Sequence, residues 1–142
     1  MTTVRQLLDE KGHEVFSIPP DATVYDAIKT MSERNIGALV VMDEGKPAGI
    51  ITERLYARNV VLKGRTSPLT SVRAVMATNV AYAKPEQLVE QCMAIMTETR
   101  VSHLPVIDNG ELVGLISIGD LVKSIIKHQE YTIEQLISYI QH

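Results

Sequence analysis

The feature that most constrains this chain is that it repeats itself. With Val15 laid over Val80, residues 15–60 run without a gap over residues 80–125. The identical pairs are Val15/Val80, Pro20/Pro85, Val24/Val89, Met31/Met96, Glu33/Glu98, Leu39/Leu104, Val41/Val106, Asp43/Asp108, Gly45/Gly110, Gly49/Gly114 and Ile51/Ile116. Turn glycines and apolar positions stay in step, which marks the duplication of one folding unit. A unit of about 60 residues buries too little surface to be comfortable alone, so two copies sharing a core are expected.

Each copy carries the same pattern. A short extended start (15–18; 80–83) meets a proline and an acidic residue. A helix follows whose inner face is Val24, Ala27, Ile28 and Met31, answered by Val89, Cys92, Met93 and Met96 at the i, i+3, i+4, i+7 spacing. Two apolar strands, 38–42 with 48–52 and 104–107 with 112–117, flank the turns Asp43-Glu44-Gly45-Lys46 and Asp108-Asn109-Gly110-Glu111. The second turn holds the Asn-Gly hairpin signal. Further helices are expected at 54–63 and 119–128. The fold class is therefore α/β (α+β): two β-α-β-β-α repeats packed sheet to sheet with pseudo-twofold symmetry, plus short N- and C-terminal helices. The expected boundaries are 1–14 for an N-terminal helix capped by Thr3, 15–63 for the first repeat, 64–78 for a linker, 79–128 for the second repeat and 129–142 for an amphipathic helix. That last helix has Ile133, Leu136, Ile137 and Ile140 on one face.

Composition narrows the function classes. The formal charge is -3 and aromatics are 4% with no Trp, which argues against a general nucleic-acid binder or a base-stacking platform. One cysteine fits a reducing compartment, and the start MTTVRQLLDEKG lacks the apolar stretch of a secretory signal, so a cytoplasmic setting is expected. No apolar run approaches the roughly 18 residues of a membrane helix. His13, His128 and His142 have no companions at ligand spacing, so no metal site is read. Nucleophilic arrangements and the Walker and Rossmann glycine patterns are absent, so an enzyme is not expected. Cys92 is read as a buried thiol, and Met31, Met76, Met93 and Met96 as core residues.

Ser117-Ile118-Gly119-Asp120 precedes an apolar run, and two readings of it stand side by side. Ser-x-x-Asp is a helix capping box. A carboxylate at the first turn of a helix, held by the helix dipole, is also placed to accept two hydrogen bonds from adjacent ribose hydroxyls. Arg54, Arg58, Lys63 and Arg65 form either a phosphate-neutralising cluster or a solvated helix face.

His103-Leu104-Pro105-Val106, the hairpin, and Gly114-Leu115-Ile116-Ser117-Ile118-Gly119-Asp120, answered by Gly49-Ile50-Ile51-Thr52-Glu53-Arg54, resemble the motifs of a tandem pair of CBS domains, a Bateman module. The chain is similar to the stand-alone CBS-pair proteins of bacteria and the plant CBSX proteins. The resemblance implies a non-catalytic sensor that binds an adenosine-containing ligand in clefts between the repeats. AMP, ADP, ATP or NAD(H), and also S-adenosylmethionine, are the ligands implied, and the sensor signals to an effector protein. It implies a main cleft of Thr78, Asn79, Val80, Tyr82, His103, Leu104, Pro105, Ser117, Gly119 and Asp120, with Asp120 on the ribose. A second cleft would hold Ser17, Ile18, Ala38, Leu39, Thr52, Arg54, Tyr56 and Arg58. That cleft is expected to be weakened, because Leu55 stands where relatives usually carry Asp. Ser102 likewise stands where relatives often have Arg. Family precedent points to a homodimer. The rival readings are a ligand-independent dimerising scaffold, an NAD(P)-linked or adenylate-converting enzyme, and nucleic-acid binding through Arg54–Arg65.

Overall fold

A computed structural model describes residues 1–141; His142 lies outside them. The chain divides into two compact units. One is residues 14–80, and the other combines residues 1–13 with 81–142.

In the first unit a three-stranded sheet carries β1 (Ser17–Ile18), β2 (Ala38–Asp43) and β3 (Lys46–Thr52). β1 runs parallel to β2, with Ser17 beside Val40, and β2 pairs antiparallel with β3, with Leu39 opposite Ile51. The helix α2 (Val24–Arg34) starts at Thr23, whose hydroxyl accepts the Asp26 N–H, and ends on Asn35 in the left-handed conformation. It buries Val24, Ala27 and Met31 against Leu39, Val41 and Ile51. After β3 the chain forms one α-turn, α3 (Glu53–Tyr56), and then a π-helical turn over Ala57–Val61. The expected regular helix over 54–63 is thus replaced by a short, widened one.

The second unit repeats this plan with α4 (Val89–Thr99), β4 (His103–Asp108), β5 (Glu111–Ser117) and α5 (Ile118–Gln141). Val89, Cys92 and Met96 face Leu104, Val106 and Ile116. Both hairpins close through two residues of positive φ, Glu44 (51°) with Gly45 (79°) and Asn109 (51°) with Gly110 (80°). That is the I′ geometry whose twist matches paired strands. Each is followed by the same register shift, between Val41 and Met42 and between Val106 and Ile107. The α/β class and the duplicated unit are as expected. The extended start of the second copy is reduced to a single bridge, in which the Ala83 N–H donates to the Pro105 carbonyl and the Ala83 carbonyl accepts from Ile107. At the other end no Gly or Pro interrupts His128-Gln129-Glu130-Tyr131, and residues 129–141 of the segment expected as a separate helix at 129–142 continue α5, His142 lying outside the described residues.

The segments ahead of each repeat complete the cores, and they do so in exchange. α1 (Val4–Lys11), which precedes the first repeat, belongs to the second unit. The Val4 and Arg5 N–H groups donate to Gln87 and Pro85 carbonyls at 2.8 and 2.9 Å. Val72 and Arg73, which precede the second repeat, make the equivalent bonds to Ala22 and Pro20 at 2.8 and 2.9 Å. The arginines match as well: Arg5 lies 3.0 Å from Glu86 and 3.8 Å from Asp108, and Arg73 lies 3.4 Å from Asp21 and 3.9 Å from Asp43. Val4, Leu7 and Leu8 are buried in one core, Val72 and Val75 in the other. Residues 64–78, read from sequence as a linker, therefore include core positions.

Glycines allow these segments to approach so closely. A Cβ on Gly114 would stand 2.6 Å from the Leu8 Cδ2, and a Cβ on Gly49 would strike the Ala77 carbonyl oxygen. Gly114→Ala should cost about 1–3 kcal/mol. Combined with Leu8→Ala, itself worth about 2–5 kcal/mol, it should cost clearly less than the sum, because the truncated side chain vacates the space. Gly49→Ala, facing backbone, has no such rescue. Urea midpoints of the four variants check this.

Candidate functional site

The site is built where β5 ends and α5 begins. Antiparallel pairing sets His103 opposite Ser117, Leu104 opposite Ile116 and Pro105 opposite Leu115. The two motifs singled out from sequence thus share one end of the hairpin. Ser117 and Asp120 form a reciprocal cap: the Asp120 N–H donates to the Ser117 Oγ (3.2 Å), and the Ser117 N–H donates to the Asp120 Oδ2 (2.8 Å). The capping reading is therefore realised. It also orients the carboxylate, because one oxygen is fixed by the backbone of the strand end.

A residue that sequence reasoning missed completes the arrangement. The Lys11 ammonium, at the last position of α1, donates to the Asp120 Oδ2 at 2.6 Å and to the Leu115 carbonyl at 2.6 Å. Two residues on, His13 places Nδ1 3.1 Å from the Val113 carbonyl and Nε2 3.0 Å from Asp9. Alternate carbonyls of β5 thus anchor alternate residues at the end of α1. Partial burial pushes the Asp120 pKa up, but the Lys11 ammonium and the Ser117 N–H outweigh it, and the carboxyl titrates below the usual aspartate range. Among the described residues no group donates to Asp120 Oδ1.

Beside this carboxylate a groove of about 340 Å³ runs between α1 and α5, lined by Leu7, Glu10, Lys11, Asp120, Lys123, Ser124 and Lys127. Asp120, Lys123, Ser124 and Lys127 stand at i, i+3, i+4 and i+7, a spacing that was there to be found in the sequence. Lys127 lies 3.2 Å from Glu10, and Lys123 makes no ion pair among the described residues. The groove therefore presents a carboxylate and ammonium groups side by side.

The other expected residues take varied places. Leu104 is fully buried within the core of its unit. Tyr82 is exposed, and Gly119 has room for a Cβ, with only the Ser117 Oγ at 3.6 Å. Thr78, Asn79 and Val80 end the first unit. In the first copy Ala38 pairs with Thr52 as His103 pairs with Ser117. The Thr52 hydroxyl accepts the Leu55 N–H at 3.1 Å, but Leu55 has no carboxylate to return the bond. Instead Leu55 and Tyr56 pack against the core of that unit, and the Tyr56 hydroxyl accepts from Ser67 at 3.3 Å. Ile18 and Leu39 are buried; Ser17, Arg54 and Arg58 are exposed. The two copies are chemically unequal at the matching position. Cys92 is buried, with its thiol pushed up to about 11.

The model of the CBS domain matches residues 4–59 and 72–127, taking in both lead segments. The CBS domain-containing protein CBSX3, mitochondrial, of Arabidopsis thaliana is 37% identical over 99% of the chain and 72% of its own length. A solved CBS-domain protein from Burkholderia ambifaria superposes with a TM-score of 0.87 at 52% identity, covering 90% of this chain and 96% of that one. A CBS domain pair solved in complex with 5′-methylthioadenosine and S-adenosylmethionine shares the fold, with a TM-score of 0.79 at 23% identity over 90% of this chain and 98% of that one. No helix among the described residues is long and apolar enough to cross a membrane.

Because the folded pKa of Asp120 is depressed, its ionised form stabilises the fold above the unfolded value near 4. That contribution is lost as pH falls through the lower folded value. The urea midpoint of Asp120→Asn should therefore fall less between pH 5 and 3 than that of the wild type. In Lys11→Met the Asp120 carboxyl, followed by its carbon chemical shift, should titrate at higher pH, since burial then acts with less opposition.

Proposed function

Since the chain belongs to the CBS-domain family, we propose that it is a non-catalytic sensor of an adenosine-containing ligand, AMP, ADP, ATP or NAD(H), acting as a cytoplasmic homodimer that signals to an effector protein. Stand-alone proteins of this family are regulatory modules. The observation that carries the reading is the state of Asp120, a carboxylate held ionised and oriented by its cap, with no donor on Oδ1 among the described residues. Adjacent ribose hydroxyls need such an acceptor. The Lys11, Lys123 and Lys127 ammoniums along the groove suit the phosphates of a nucleotide. His103, Leu104 and Pro105, next to Ser117 in the hairpin, border the base. Thr78, Asn79, Val80 and Tyr82 complete the proposed main site. The complex of a fold relative with S-adenosylmethionine and 5′-methylthioadenosine supports the adenosine class. The single buried cysteine suits a reducing compartment.

The first copy is proposed to bind weakly or not at all. Leucine accepts no hydrogen bond, and losing a charged acceptor costs about 1.5–3 kcal/mol, one to two decades of affinity. Ser17, Ile18, Ala38, Leu39, Thr52, Arg54, Tyr56 and Arg58 would have to hold a ligand without it. The same Leu55, packed against the core, favours the second reading, a dimerising scaffold without ligand control.

Thermal unfolding with AMP, ADP, ATP, NAD, NADH and S-adenosylmethionine separates the two. A ligand at 100 times its dissociation constant adds about 2.7 kcal/mol, roughly 5–10 °C in Tm at this size. The sensor reading expects such a shift with one of these ligands and its loss in Asp120→Ala. No shift with any of them leaves the scaffold.

A further inference from the structure

The second half of α5 has no covering in the chain itself. Every residue from Ile126 to Gln141 is exposed, although this half is as apolar as the first. Ile118, Val122, Ile126, Ile133, Leu136 and Ile140 fall within an arc of about 80° at 3.6 residues per turn. They form one stripe along the whole helix, with exposures from 38% at Ile118 to 79% at Ile140. Only Gln129 interrupts it. A terminal helical segment of about a dozen residues with no tertiary contact is marginal by itself. A stripe of this length calls for a partner surface.

The charges beside the stripe say which partner. Lys123, Lys127, Glu130 and Glu134 all lie on one flank, bases first and acids second. Side by side in parallel, this flank would face the opposite flank of the second helix, where His128, Thr132 and Gln135 offer its lysines and glutamates no ion pair. When the two helices are related by a twofold axis beside Gln129, the order reverses. Lys127 then faces Glu130 of the second copy and Lys123 faces its Glu134, each pair occurring twice. The same axis sets Ile118 against the second copy's Ile140 and Val122 against its Leu136, with Ile126 near its Ile133. The two Gln129 amides meet at the centre, where a polar pair fixes register. Charge pattern and apolar pattern, read independently, place the axis within one residue of each other.

We propose that α5 is the homodimer interface, an antiparallel, self-complementary helix pair centred on Gln129. This rests on the homodimer named above but not on any ligand. Lys127 would be shared between Glu10 of its own chain and Glu130 of the second copy, and α5 would carry the groove at its start and the interface along its length.

The test uses the full chain and sedimentation equilibrium. The wild type should have the mass of two chains, and Leu136→Asp/Ile140→Asp the mass of one, losing at most the helical signal of the C-terminal half of α5 and keeping a cooperative unfolding transition, since both side chains are exposed in the single chain. Lys123→Glu/Lys127→Glu and Glu130→Lys/Glu134→Lys should each dimerise at least tenfold more weakly alone and recover when mixed. Oxidising a mixture of Val122→Cys and Leu136→Cys chains should give the mixed disulfide in excess over either self-linked form. A monomeric wild type, a Leu136→Asp/Ile140→Asp variant that stays dimeric, or self-linked Val122→Cys as the main product would each overturn the proposal. A monomeric wild type would also remove the homodimer named above, whereas a Leu136→Asp/Ile140→Asp variant that stays dimeric would overturn only the placement of the interface; neither outcome bears on the thermal shifts with nucleotides.

Discussion

Two backbone hydrogen bonds at each lead segment, from Val4 and Arg5 in one unit and from Val72 and Arg73 in the other, finish the core of each unit by itself. A repeat of some fifty residues has one hydrophobic face per element and too few elements to cover them all. Here the missing cover comes from the short apolar segment ahead of the other repeat. Burial at Val4 and Val72 is complete, and the glycines at 49 and 114 remove the Cβ atoms that would hold the segments away. The first unit is one continuous stretch, residues 14–80, but the one containing the second repeat begins with the N-terminal helix.

The chemistry of the candidate site follows from that exchange. Asp120 is capped by its own helix start, but the ammonium beside it comes from α1, which is there because Val4, Leu7 and Leu8 need a core. Lys11 and His13 then reach successive outward carbonyls of β5. In the first unit the lead segment is a single 3-10 turn over Val72–Ala74. The residue matching Asp120 is Leu55, which joins the core. Duplication thus yields two scaffolds of the same shape with different charge at the matching point, a carboxylate in one and a hydrocarbon in the other.

Much of this was legible because it is local. Hairpins announced themselves by Glu44-Gly45 and Asn109-Gly110, helix faces by Val24, Ala27 and Met31 and their counterparts, and the cap by Ser117 and Asp120 at a spacing of three. What stayed hidden is long-range or irregular. Thr3-Val4-Arg5 matches Ser71-Val72-Arg73 only at a spacing three residues longer than the rest of the repeat, so an ungapped comparison passes over it. Lys11 meets Asp120 across 109 positions, and no periodicity records such a pair. The second copy's first strand dwindles to one bridge at Ala83, a difference that the similar apolar patterns of 15–18 and 80–83 do not encode. The continuity of α5 was the opposite case: the absence of any breaker between His128 and Thr132 was visible, and the change from buried to exposed along the helix was not.

Native-state hydrogen exchange tests most directly whether the lead helix is part of the second unit. The Val4 and Arg5 amides, and Leu7 bonded to Thr3, should open with the same free energy as the amides of β4 and β5, because losing α1 strips that core of Val4, Leu7 and Leu8. If α1 exchanges orders of magnitude faster while β4 and β5 stay protected, the helix is an appendage, and the site at Asp120 does not depend on it.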